Sequence, residues 1–109
     1  MVSNSKIEEI FETKERLLRE EFNLREKVLV AQIELKRAKT RIINESDPKE
    51  LGKNDKEREA KIAISTEKES GILYELESAL RTAELESQIA GLKIDCFTWQ
   101  IRNNSCNGN

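Results

Sequence analysis

Cys96 and Cys106 are the two thiols of this 109-residue chain, and they do not form a CxxC pair. Such a spacing reads as free thiols, with a disulfide in the tail as the lesser option. The sequence contains no histidine. That absence removes Ser-His and Cys-His nucleophile pairs and the ligand most transition-metal sites depend on. Carboxylates are plentiful, but in so charged a chain they read as the solvated face of helices. The four glycines, at 52, 71, 91 and 108, form neither GxxxxGK[ST] nor GxGxxG, so no phosphate cradle is expected. The expectation is a non-enzymatic protein with no metal and no cofactor.

A second group that could do chemistry is the cationic run "ELKRAKTR", whose Lys36, Arg37, Lys39 and Arg41 are candidate anion contacts. Lys/Arg gathered on one face can neutralise phosphates. Here Glu45, Asp47, Glu50, Asp55, Glu57 and Glu59 follow closely, interleaved with Lys49, Lys53, Lys56, Arg58 and Lys61. No aromatic side chain accompanies them for base stacking. Ion pairs between helices are the expected use of these groups, and a net charge of −2 gives no general attraction to nucleic acid or anionic membrane.

The elements that hold these groups are legible from periodicity. Charged residues make up 37% of the chain and aromatics 5%, which suits long helices with a narrow apolar seam. Positions 7, 10, 14, 17, 21, 24, 28, 31, 35, 38 and 42 alternate steps of three and four, and all are apolar except Lys14 and Glu21. Positions 62, 66, 69, 73, 76, 80, 83, 87, 90, 94, 97 and 101 step the same way. Such a period held this long predicts coiled-coil packing. Between the two runs lies "NESDPKELGKND", with the only proline, Pro48. The predicted fold is therefore all-α, one antiparallel two-helix coiled-coil hairpin dimerising into a four-helix bundle. One helix is expected over 6–43, the turn over 44–54, a second helix over 55–102 with a possible kink at 70–71, and a disordered tail over 103–109. Ser46 or Asp47 is placed to cap a short helical turn, and Asn54 or Asp55 to cap the second helix. The cations near the end of the first helix complement its carbonyl end. No run approaches ~18 consecutive apolar residues, and the opening "MVSNSKIEEIFETKERLL" has no signal-type apolar core. A soluble, cytoplasmic protein with no membrane association is expected.

Folding the chain about its turn sets Leu24 near Leu76 and Leu17 near Ala83, with Ile10 and Phe11 near Ser87 and Ala90. More apolar residues remain than one partner helix covers. Leu85, Ile89, Leu92, Cys96 and Trp99 form a stripe about 200° from the seam of the second helix, at ~100° per residue. Phe11, Leu18, Phe22 and Leu29 flank the seam of the first, and Phe97, Trp99 and Ile101 lie in the last turns, "DCFTWQIRN". An exposed patch of this kind calls for an occupant: a second copy, another protein or ligand, or the folded-back tail. Polar Lys14 and Glu21 inside the seam are candidates for setting register or oligomer state.

The stretch "LGKNDKEREAKI" (51–62), followed by a Leu/Glu/Ala-rich helix with an aromatic near its end, resembles small helical-hairpin proteins of bacteriophages and prophages. The resemblance spans roughly residues 51 to 101. It implies that Leu51, Gly52, Lys53, Asn54, Arg58 and Glu59 form an LGKN-type turn motif opening the second arm of a hairpin. It also implies a setting among phage recombination and single-strand-binding genes, and it transfers no catalytic role. The function expected is stoichiometric protein binding by a homodimer or higher oligomer. The target would be a host-defence or nuclease component, making the chain an inhibitor, or the phage recombination machinery, making it an accessory. The alternatives are an oligomeric sponge for a nucleotide signal and a single-stranded nucleic-acid accessory factor.

Overall fold

The computed structural model describes residues 4–107, with side chains described for residues 5–103. Four helices follow one another: α1 (Asn4–Glu45), α2 (Pro48–Leu51), α3 (Asp55–Ser65) and α4 (Glu67–Asn107). There is no strand among the described residues, so the class is all-α. The chain clusters into two compact units, one of residues 1–23 and 80–109, the other of residues 24–79.

The second of these units contains the turn. α1 runs two residues past the expected end, so Arg41 sits a full turn back and no cation occupies its last turn. The expected pairing of these cations with the carbonyl end of the helix therefore does not occur. Asp47 caps α2, accepting a bond from the Lys49 amide at 3.1 Å, and Pro48 opens that helix where its missing N–H costs nothing. Gly52 has φ +112, the only positive φ among the described residues. A Cβ built there would lie 2.6 Å from the Glu57 Cβ, so both the backbone angle and the space call for glycine. Asn54 caps α3 by accepting from the Glu57 amide at 2.9 Å, while the Glu57 carboxylate accepts from the Lys53 amide at 2.8 Å. This is the reciprocal logic of a capping box, displaced by one residue. Arg58 Nε donates to the Gly52 carbonyl, and Lys61 Nζ to that of Glu50, tying α3 back onto the turn.

The interruption expected at residues 70–71 lies instead at Thr66. Gly71 continues inside α4 with nothing within 4 Å of a built Cβ. Thr66 is fully buried at a seam position, and its hydroxyl donates to the Ile62 carbonyl at 2.7 Å. Its own amide bonds the same carbonyl, and its φ/ψ of −110/18 leaves the helical region. A buried hydroxyl satisfied by its own preceding turn bends the helix, and a glycine without neighbours does not. Glu69 follows in the seam, its Oε2 buried without a hydrogen-bond partner. Hydrophobic burial in this unit centres on Val28 and Ala31.

In the other unit, the first part of α1 pairs with the last part of α4 in antiparallel sense. Leu17, Ala83 and Ala90 are its buried apolar residues, joined by Ser87 and Glu21. The small residues Ala83, Ser87 and Ala90 let the helices approach, large against small. α4 is helical through residues 94–102 and on to Asn107, past the expected end at Arg102 and into the segment expected to be disordered. Residues 108–109 of that segment lie outside the described residues.

Candidate functional site

Seam residues of α1 from Ile7 to Ile42 are all buried or half-buried, and those of α3 and α4 likewise until Ile101, which is exposed. Lys14 is a half-buried polar member of this seam. Its Nζ crosses to α4 and donates to both the carbonyl (2.8 Å) and the hydroxyl (2.9 Å) of Ser87. One ammonium thus satisfies two acceptors around a nearly buried serine, and the pair fixes the register of the two helices. Gly91 lies beside it, a built Cβ falling 3.7 Å from Nζ.

Next to this bridge is a groove of about 450 Å³ between α1 and α4. Ile10, Leu17, Ile89, Ala90 and Phe97 supply its apolar lining, while Lys6, Arg16 and Lys93 bring cations and Glu9 and Glu86 bring carboxylates. Phe97 is half-buried here, although the sequence set it in the exposed patch. A groove with an apolar floor and a mixed-charge rim suits an amphipathic helix or a ligand with an apolar body and an anionic end.

The remaining candidate association residues are exposed on two faces. On α1, Phe11, Leu18 and Phe22 stand one residue beyond the seam positions, about 100° around the helix, and Phe22 is 62% exposed. Leu18 and Phe22 share a shallow depression with Glu15 and Arg19. On α4, Leu85, Ile89, Leu92 and Trp99 occupy the outer face, Leu92 65% and Trp99 66% exposed. Cys96 lies in the same stripe as an exposed free thiol. The side chain of Cys106 lies outside the described residues. Sequence periodicity did not single out Ile64 and Tyr74, which are even more exposed in the other unit, at 72% and 67%.

The candidate anion contacts do not act as one set. Lys36, Arg37 and Arg41 line one shallow groove with Ile33 and Glu45, whereas Lys39 is absent from it, lying about 200° around the helix from Arg37 and from Arg41. Of the turn motif, Gly52, Lys53, Asn54 and Arg58 have structural hydrogen-bonding roles, Leu51 is half-buried and shares a shallow groove with Ile42 and Ile64, and Glu59 is exposed. Among the described residues, no cluster of three or more His, Cys, Asp or Glu is placed to hold a metal. No helix among them is long and apolar enough to cross a membrane. Compared with known proteins, the chain matches no family model, no curated protein and no solved structure.

Proposed function

We propose that this chain is a small non-enzymatic protein of bacteriophage type that acts by binding protein stoichiometrically, and that it works as a homo-oligomer. The observation that carries the reading is the exposure of Phe11, Phe22, Leu92 and Trp99 on two faces of the unit formed by residues 1–23 and 80–109. A two-helix seam buries little, and large apolar side chains left on both helices are the usual mark of an association surface. Phage origin rests on the resemblance of residues 51–62. With it comes the class of target, a host-defence or nuclease component, or the phage recombination machinery. The chain works in the cytoplasm of the bacterial host.

The test is capture from bacterial lysate by the tagged wild-type chain, alongside a Phe11→Lys/Phe22→Lys/Leu92→Lys/Trp99→Lys variant that alters both exposed faces and keeps the seam intact. The wild type should retain a partner in fixed ratio to itself, and the variant should lose it while its circular dichroism is unchanged. Recovery of the same proteins by both would defeat the reading.

A second reading, a sponge for a nucleotide signal, is favoured by one feature: the groove that joins Phe97 and Ile89 to Lys6, Arg16 and Lys93. Lys14, beside the groove, is already engaged by Ser87. Titration calorimetry with cyclic and linear nucleotides separates the two readings, since protein binding requires no heat of nucleotide uptake. Nucleic acid is the weakest candidate partner, because the three grouped cations share their groove with Glu45 and no aromatic.

A further inference from the structure

The outer stripe of α4 begins with Leu85, Ile89, Leu92 and Cys96, whose spacing of four, three and four is the same in both directions, and Trp99 extends it by a further step of three. From this self-complementarity we infer that the surface is occupied by the same stripe of a second copy, running antiparallel, with Ile89 against Leu92 and Leu85 against Cys96. The inference rests on the reading of this face as an association surface and names its partner and register.

Charge selects that register. Glu86 and Lys93 stand on the same flank of the stripe. With Ile89 opposite Leu92, Glu86 of each copy faces Lys93 of the other, twice by symmetry. Sliding the copies by one heptad in one direction sets Glu86 against Glu86 on the axis. Sliding them the other way sets Lys93 against Lys93 and Asp95 against Asp95. The favoured register leaves one kind of like-charge pair, Arg81 with Arg102, which occurs twice by symmetry, once at each end of the overlap.

Packing agrees with the charges. The favoured register places Thr82 opposite Trp99, small against large, whereas a parallel pairing would stack Trp99 on Trp99 and Cys96 on Cys96. Antiparallel helices also oppose their dipoles. The flank carrying Glu86 and Lys93 is the rim of the groove on this unit, so a helix seated on the stripe lies along that groove, with Ile89 at its edge.

Cys96 supplies the test, in a Cys106→Ser background that removes the second thiol. In the inferred register the two Cys96 residues are separated by about 16 Å along the helix axis, eleven residues at ~1.5 Å each, beyond disulfide reach. Mild oxidation should leave the parent uncross-linked. Leu85→Cys, at an exposed position, should convert it to a covalent dimer through Cys96 of the other copy. In parallel, Glu86→Lys and Lys93→Glu should each weaken dimerisation about tenfold, and the double variant should restore it. A parent that cross-links through Cys96 overturns the antiparallel register. So does a dimeric parent whose Leu85→Cys variant fails to cross-link, or a double swap that restores nothing. In these cases association itself survives, whereas a parent that sediments as a monomer removes the association surface as well.

Discussion

Lys14 interrupts an otherwise apolar seam, and its ammonium lies over Ser87 with two bonds to that residue. A bond from a charged donor to a nearly buried acceptor contributes more than a neutral one. Lys14→Met should therefore lower unfolding free energy by about 1–2 kcal/mol, measured by urea denaturation. Ser87→Ala should cost less than about 1 kcal/mol, because the carbonyl remains as an acceptor and a methyl suits the seam. Equal costs would show that Lys14 acts through the hydroxyl alone. The sequence marked Lys14 as anomalous but not its partner. A lysine in a seam is chemically able to reach several groups one turn apart, and Glu84, Glu86 and Ser87 all qualify by position. Only the packing distance chooses among them.

Among the elements, helix periodicity and the turn chemistry were the parts readable from the sequence. The positions stepping by three and four along α1 are the ones that face inward, because that period returns to the same side of a helix wherever a partner lies. Asn54 and Pro48 act as their types suggest, since capping and N1 preferences are local. The site of the helix break was misread because Gly71 is a weak former by propensity, yet it pays only an entropic cost in an exposed helix. Thr66, unremarkable in sequence, breaks the helix through burial of its hydroxyl, a tertiary effect. The two glycines give opposite predictions. Gly71→Ala should stabilise by about 0.5–1 kcal/mol, its helical backbone and open surroundings accepting a methyl. Gly52→Ala should destabilise by about 1–3 kcal/mol through its positive φ and the clash with Glu57. Thermal melts of the two variants check both signs. A melting point unchanged by Gly52→Ala would mean the turn is not held as described.

For the whole molecule, the excess of apolar surface was legible as stripes, but its distribution was not. Phe97 counts with the exposed patch by its place in the last turns and is instead half-buried in the groove. The four cations read as one patch and divide between faces, because adjacent cations in a helix diverge by ~100° per residue. What periodicity cannot reveal is the occupant of an outward face, since the same stripe suits a second copy or a foreign helix. The proposal is that association covers Leu92, Trp99 and their neighbours. Sedimentation velocity of the wild-type chain and of Leu92→Lys/Trp99→Lys, with tryptophan fluorescence recorded on the same samples, tests it most directly. The expected result is a wild-type dimer with a shielded indole and a folded variant that sediments as a monomer. A wild-type chain that is monomeric at every concentration, with its tryptophan open to solvent quenchers, would contradict it.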